Sequence, residues 1–268
     1  MSKFLIISQV FPPDPAAVGQ YFDEAAQALR DAGVEVTVLT ANRGYDDPDE
    51  RFEAFEDRGG VQVRRLPASS FGKGSMPVRI FGQLSFLIQC LWRGLFTRGL
   101  TDLLVSTSPP MCSIVAVVVG WLRPAVKIHY WVMDLNPDQA VALEVFGAKH
   151  PLVLAMDWLN RRILKRADTV IALDRFMQQR LLKKVIGDGE CRSDRSVALD
   201  DGAGKATGVS LLRGQLIILP PWPIGQHVEP VLHAENWFRQ EQGWDDKFVV
   251  MFSGNHSWVH PLTTIIDA

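Results

Sequence analysis

The chain has 268 residues, of which 47% are hydrophobic and 22% are charged, and its formal net charge is -2. This balance is typical of a globular protein and excludes the collagen-like, disordered and multi-span membrane classes. A net charge so close to zero creates no positive field, so no nucleic acid is expected as a partner.

The cysteines and the first residues of the chain indicate its compartment. Cys90, Cys112 and Cys191 lie far apart and form no CxxC pair, which predicts neither a disulfide framework nor a zinc site. The apolar run at residues 4–7 is too short for the core of a signal peptide and is soon followed by Pro12. We therefore expect a cytoplasmic protein.

Short apolar runs alternate with helical stretches along the chain. Strands are predicted at residues 4–8, 35–40, 61–66, 103–106, 126–132, 169–173 and 216–219, and helices at 20–31, 78–97, 111–121, 151–166 and 175–186. Gly33 is predicted to end the first helix in a left-handed conformation. Most of the strands are apolar on both faces, as in a parallel sheet that helices cover on both sides. The sequence therefore predicts an α/β fold with a doubly wound parallel sheet and ligands at the carboxyl ends of its strands.

Three stretches interrupt this alternation. Residues 41–60 are acidic and polar and predict a solvated loop, and the glycine-rich residues 187–214 predict a flexible excursion. Near the end of the chain, a short helical piece at 234–242 and a strand at 247–252 are predicted, with a further helix that starts at Pro261. This last part resembles the start of a second α/β unit. It either packs on the first unit or belongs to a truncated form of a longer protein.

Several short motifs occur in a fixed order along the chain. They are IISQVFPP at residues 6–13 followed by Gly19, GVEVTVLT at 33–40, STSPP at 106–110, VMDLNPD at 132–138, KRADTVIAL at 165–173, ILPPW at 218–222 and FSGNH at 252–256. With these motifs in this order, the chain resembles a family 4 glycosyltransferase of the GT-B fold. The resemblance is greatest to the branch that builds surface polysaccharide in bacteria.

The resemblance implies two Rossmann-like domains that face each other across a cleft. The N-terminal domain mainly takes a lipid-linked or saccharide acceptor, and the C-terminal domain holds a nucleotide-diphosphate sugar. This sugar is a co-substrate, and the resemblance implies no cofactor. Transfer retains the anomeric configuration and serves the synthesis of cell-surface polysaccharide. On this pattern, residues 1–223 form the acceptor-side domain, 224–246 an interdomain linker, and 247–268 the start of a truncated donor-side domain.

The donor-binding motif of the family, a pair of glutamates far along the second domain, has no counterpart in this chain. We therefore expect the isolated chain to be inactive as a transferase. The alternative is a non-catalytic subunit whose function is to bind the acceptor or to recruit its partner to the membrane. Such a subunit would need a partner chain that supplies the donor domain.

Three residues of the first domain are candidates for the cleft. Gly19 follows the first predicted strand, where the family places a loop near the donor phosphates; the alternative is a glycine required only by a tight turn. Asp134 ends a predicted strand, where a carboxylate can bind sugar hydroxyls or assist an acceptor hydroxyl. Many relatives carry a histidine where this chain has Met133, so binding is favoured over acid–base catalysis. Asp138 either shares this role or caps the helix that follows.

The remaining polar candidates lie mostly near the end of the chain. Gly254 and Asn255 correspond to the glycine-containing loop that lines the cleft in the family, or they form a plain turn. His256 and His260 have the spacing of zinc ligands on a helix but lack the glutamate of the zinc motif, so no metal is expected. His129 lies in an apolar strand and is predicted to be a hydrogen-bonded core residue.

The segment at residues 77–99 is rich in Phe, Leu, Ile and Trp and has no acidic residue. A helix of this kind can lie in a membrane interface, with Arg79, Arg93 and Arg98 in contact with anionic headgroups. Its polar interruptions argue against a membrane span, and the alternative is a buried crossover helix. On the first view, the protein is peripheral and binds the inner face of the plasma membrane weakly.

Overall fold

One sheet organises the part of the chain that the computed structural model describes, which is residues 2–44, 47, 49–69, 76–109, 111–186, 215–222, 231–244, 246–252 and 262–266. Its strands are β1 (Lys3–Ile7), β2 (Glu35–Ala41), β3 (Phe55–Arg58), β4 (Val61–Leu66), β5 (Leu100–Ser106), β6 (Lys127–Trp131), β7 (Thr169–Ala172) and β8 (Leu216–Ile218). Their order is β3-β4-β2-β1-β5-β6-β7-β8. Neighbouring strands are parallel except β3, which is antiparallel to β4.

Helices connect most of these strands. They are α1 (Ala17–Asp31), α2 (Met76–Phe96), α3 (Ser113–Leu122), α4 (Asp138–Ala142), α5 (Pro151–Arg166), α6 (Arg175–Ile186), α7 (Trp237–Glu241) and α8 (Thr263–Ile266), with a short 3-10 turn at His233–Glu235. None of the helices in the described residues combines the length and the apolar content that are needed to cross a bilayer.

The sheet has an apolar core on each of its faces, as a doubly wound fold requires. Alternation along β1 shows the two cores: Leu5 belongs to the apolar cluster that also contains residues of α2, α3, α5 and α6, whereas Ile6 belongs to the cluster that contains residues of α1. Strand side chains are therefore buried on both sides, which explains the nearly continuous apolar runs in the sequence. The predicted α/β fold with a doubly wound, Rossmann-like parallel sheet is confirmed. Gly33 has the left-handed φ of 82° that was predicted to end the first helix.

One prediction for the polar stretches is wrong. Residues 41–60 are not all loop, because β3 forms within them and pairs with β4 through a turn at Gly59 and Gly60, whose φ angles of 60° and 97° suit a tight hairpin. Arg58 of this strand donates to the Asp23 carboxylate of α1 at 2.9 Å. A short edge strand held by polar pairs has no apolar pattern, which is why the sequence did not indicate it.

The end of the chain also differs from prediction. Residues 247–252 form no strand, and Phe248 among them is almost fully exposed. An apolar run forms a strand only where a neighbour can pair with it, and the described residues supply none here. Helix α7 lies inside the helical piece predicted at 234–242. The predicted excursion at 187–214 and Pro261 lie outside the described residues.

Candidate functional site

The carboxyl ends of the parallel strands share one edge of the sheet, and a pocket of about 180 Å³ opens there. Strand β1 lies between β2 and β5, so the order of the strands reverses beside it, and open α/β sheets bind ligands outside such a point. The pocket is built by the start of α1 and by residues at or just after the ends of β6, β7 and β8. Its lining residues are Ala17, Val18, Tyr21, Trp131, Met133, Asp134, Leu173, Leu219, Pro221 and Trp222.

Asp134 supplies the carboxylate of this pocket. The side chain is exposed, and the turn that carries it is fixed by Thr107 in the loop after β5. The backbone N–H groups of Met133 and Asp134 both donate to the Thr107 hydroxyl oxygen, at 3.1 and 3.0 Å. One hydroxyl thus ties together the ends of two neighbouring strands. The sequence indicated Asp134 but not Thr107, although Thr107 lies within the motif STSPP.

Aromatic side chains form the walls of the pocket. The Tyr21 hydroxyl donates to the Trp222 carbonyl at 3.1 Å, and the Trp222 indole N–H donates to the Glu24 carboxylate. The Trp222 ring is edge-on to Tyr21 at 4.8 Å and stacks on Trp131 at 6.0 Å between centroids. No tryptophan was predicted in a site, yet Trp131 ends β6 and Trp222 follows β8 within a few residues. These places at strand ends are the signal that could have found them.

Trp131 has a buried polar atom without a partner. Its side chain is almost fully buried, and within the described residues its indole N–H makes no hydrogen bond. A buried donor that remains unpaired costs about 1–3 kcal/mol. Trp131 also lines a second pocket of about 540 Å³ on the α1 face of the sheet, together with Glu24 and His129. Its N–H is therefore a candidate donor to the oxygen of a bound ligand.

Gly19 lies inside α1 and not in the loop before it, so a tight turn does not explain this glycine. A Cβ atom at this position would lie 3.0 Å from the backbone N and Cα of Phe11, and 3.1 Å from the carbonyl carbon of Val10. The glycine therefore lets the first turn of α1 lie directly against the loop that follows β1. Gly19 is not among the residues that line the pocket beside Asp134.

Asp138 is held in an ion-pair network away from that pocket. The Lys184 ammonium donates to Asp138 and to Asp157, at 2.6 Å each. Burial alone would raise the pKa of Asp157, but hydrogen bonds from Lys184 and Arg161 outweigh it and the net pKa is lowered. The alternative that Asp138 caps the next helix is wrong, because Pro137 holds the cap position and Asp138 is the first residue of the helix.

Other candidate groups are structural or lie elsewhere. His129 hydrogen-bonds to Asp102 at 3.0 Å, as predicted for a core histidine. Burial raises the pKa of the Cys112 thiol to about 12 and that of Cys90 well above its ordinary value, so neither supplies a thiolate near neutral pH. The described residues contain no cluster of side chains that could hold a metal ion. Gly254, Asn255, His256 and His260 lie outside the described residues.

The three arginines predicted to contact a membrane do not share one side of an exposed helix. Helix α2 ends at Phe96, so Arg98 lies beyond it. Arg93 is partly buried. Arg79 is exposed, but at about 100° per residue it lies roughly 160° around the helix from Phe81, on the side that faces the sheet. The three arginines therefore do not form one outward cationic face of a helix, which corrects the geometry on which their predicted contact with headgroups depends.

Comparison with known proteins identifies the family. A model of the family described as glycosyl transferase 4-like domain matches residues 16–192. The chain belongs to this family. No curated protein matches the chain. Among solved structures, it is similar to a sucrose-phosphate synthase from Thermosynechococcus elongatus, with 19% identity and a TM-score of 0.47 over 69% of this chain and 45% of that chain. The chain thus spans less than half of the length of that protein.

Proposed function

We propose that this chain forms the acceptor side of a retaining glycosyltransferase. The enzyme would transfer a sugar from a nucleotide-diphosphate sugar to a saccharide or lipid-linked acceptor in the synthesis of cell-surface polysaccharide. The observation that carries this proposal is a small aromatic pocket with one carboxylate, at the carboxyl edge of the sheet in a glycosyl transferase 4-like domain.

The chemistry of the pocket suits a sugar. Aromatic side chains such as Tyr21 and Trp222, which Trp131 supports from below, can pack against the apolar face of a pyranose ring. The Asp134 carboxylate can accept hydrogen bonds from hydroxyl groups, and the Trp131 N–H can donate one. The volume of about 180 Å³ is below the 300–1,000 Å³ typical of sites for whole small molecules. The pocket therefore suits a single ring, with the rest of the acceptor outside it.

The donor would lie across the cleft from this pocket. In this proposal, residues 1–223 form the acceptor-side domain, 224–246 the linker and 247–268 the start of a donor-side domain, with Gly254 and Asn255 in a loop that lines the cleft. Gly19 would let the start of α1 come close to the donor phosphates, where backbone N–H groups favour negative charge. A lipid-linked acceptor would bring the enzyme to the inner face of the plasma membrane as a peripheral protein.

The role of Asp134 can be tested by calorimetry with a panel of saccharides, polyprenyl-phosphate-linked sugars and nucleotide-diphosphate sugars. Asp134→Asn should weaken the binding of an acceptor-type ligand about tenfold or more, because a hydrogen bond to a charged group contributes about 1.5–3 kcal/mol. Its melting temperature should match that of the parent, since the Asp134 side chain is exposed.

The matched control is Asp31→Asn, which removes an exposed carboxylate at the opposite edge of the sheet, at the end of α1. This variant should bind the same ligand as the parent does. A large loss of stability in Asp134→Asn together with unchanged affinity for every ligand of the panel would overturn the assignment.

A further inference from the structure

The outer surface of helix α2 is apolar along its whole length. Five large side chains are exposed on it and recur every three or four residues, so at about 100° per residue they span an arc of roughly 120°. They are Phe81, Leu84, Ile88, Trp92 and Phe96. The opposite side of α2 packs on the sheet through Phe86 and Cys90. From Leu84 to Phe96 the exposed stripe is therefore a second apolar face, which the packing of the described residues on the sheet does not use.

Two neighbouring helices extend this surface. Trp121 of α3 and Trp158 of α5 are 78% and 56% exposed, and both line a groove of about 850 Å³ between these helices. Hydrogen bonds hold the three helices side by side, and on one side the Arg166 Nε–H at the end of α5 donates to the Gly120 carbonyl of α3 at 3.2 Å. Arg123 after α3 donates to the carbonyls of Gly94 and Thr97 at the end of α2, at 2.9 Å each. We call the exposed sides of α2, α3 and α5 the outer helical face.

The outer helical face has a strong excess of positive charge. Its cations lie on α5, where Arg161, Arg162 and Lys165 are exposed and line the groove beside the tryptophans. The Arg162 guanidinium lies over the Trp158 ring, 5.0 Å from its centroid. Helices α2 and α3 contain no acidic residue, and the single one of α5, Asp157, is bound by Arg161 and Lys184.

We propose that the outer helical face docks on an anionic lipid bilayer, with the aromatic side chains in the interface and the α5 cations at the headgroups. Tryptophans with an apolar body and a polar edge, flanked by Arg and Lys, are the composition that binds such interfaces. A second copy of this chain is the poorer occupant. In a two-fold pairing the three α5 cations would meet a surface whose one acidic residue is already bound.

The position of this face suits a lipid-linked acceptor. Helix α2 follows β4 and precedes the parallel strand β5, so its first turns lie at the edge of the sheet where the Asp134 pocket opens. A lipid-linked sugar could therefore reach the pocket from a bilayer held along α2. This last step rests on the proposed function, whereas the docking of the face on lipid does not.

The test is co-sedimentation with vesicles of equimolar phosphatidylglycerol and phosphatidylcholine, and with vesicles of phosphatidylcholine alone. The parent should sediment with the anionic vesicles and be released by high salt. Replacement of Arg161, Arg162 and Lys165 by Gln should weaken this partitioning about a hundredfold, since each cation near an anionic surface strengthens binding about fivefold. The matched control replaces Arg51, Lys149 and Lys247, which are exposed elsewhere and carry the same charge, and it should sediment like the parent.

A second pair of variants tests the aromatic contacts. Trp92→Ser, Trp121→Ser and Trp158→Ser together should abolish sedimentation while the melting temperature stays near that of the parent. The matched control changes Phe176, Trp237 and Phe248 to Ser, which are equally exposed but lie outside the face, and it should still sediment.

Several results would overturn the proposal. In the first, the parent does not sediment with anionic vesicles. In the second, neither set of face variants changes the partitioning. In the third, sedimentation equilibrium shows a dimer that the three Trp→Ser changes dissociate. Saccharide binding, measured in the same variants without lipid, separates the two proposals. If vesicle binding fails but the saccharide still binds in a manner that depends on Asp134, only the docking proposal is wrong. If the protein binds the vesicles but no saccharide in a manner that depends on Asp134, only the proposed function is wrong.

Discussion

Replacement of Gly19 by Ala tests how closely α1 lies against the loop after β1. The added methyl group would lie 3.0 Å from two backbone atoms of Phe11 and 3.1 Å from the carbonyl carbon of Val10. These atoms belong to the main chain and cannot turn aside as the end of a side chain can. The helix and the loop must therefore separate by several tenths of an ångström.

The net effect on stability is the difference of two terms. Overpacking of this kind costs about 1–3 kcal/mol, while Ala in place of Gly within a helix returns up to about 1 kcal/mol. We therefore expect Gly19→Ala to lower the free energy of unfolding by about 1–2 kcal/mol, which shifts the melting temperature by about 2–8 °C in a domain of this size. The shift of α1 should also weaken ligand binding, because Val18 and Tyr21 of the same helix line the pocket.

Thermal and urea denaturation measure the stability change, and calorimetry measures ligand affinity. The control is Gly147→Ala, where a new Cβ would meet no atom within 4 Å, so its stability should match that of the parent. A Gly19→Ala variant that is as stable as the parent or more stable would refute the reasoning, because it would show that the helix and the loop have room for a methyl group.

Three further changes have defined outcomes. Thr107→Val should lower the free energy of unfolding by about 1–2 kcal/mol, because two backbone N–H groups lose their acceptor. It should also weaken ligand binding in the parent but not in Asp134→Asn. Thr107→Ser should restore both the stability and the ligand affinity. Trp131→Phe removes the unpaired N–H, so stability measured by urea denaturation should change by less than about 1 kcal/mol, while ligand affinity in calorimetry should fall about two- to tenfold. Asp157→Asn should lower the free energy of unfolding by about 1 kcal/mol near neutral pH. Because its folded pKa is lowered, the stabilisation by Asp157 is present above the ordinary Asp pKa of about 3.9 and is lost as pH falls below it, so parent and variant should converge in acid denaturation.

The sheet was predictable because its signal is local. Leu5, Ile6 and Ile7 are apolar on both faces of β1, and Gly33 marks the end of α1, so short windows of sequence are enough to indicate these elements. Strand β3 was missed because its stability comes from polar pairs such as Arg58 with Asp23, which are distant in sequence and have no periodic pattern.

The site was predictable only in part, for a related reason. The position of Asp134 follows from its place at the end of a strand, and the structure brings it into the pocket. Tyr21 and Trp222 line the same pocket but come from the first helix and from the segment after the last strand. No single-sequence pattern indicates that these two residues meet. The role of Lys184 as the common partner of two carboxylates likewise depends on packing between helices.

The link between Tyr21 and Trp222 joins residues separated by 201 positions in the chain. Contacts of such long range form late, because closing a large loop costs entropy before any contact compensates for it. Strand β8, which leads to Trp222, has three residues and lies at the edge of the sheet formed by the described residues, beside β7. A nascent chain could thus build the sheet as far as β7 and still lack one wall of the pocket. The ability to bind a ligand would then appear only when β8 docks, and ligand binding would report that the last stage of folding is complete.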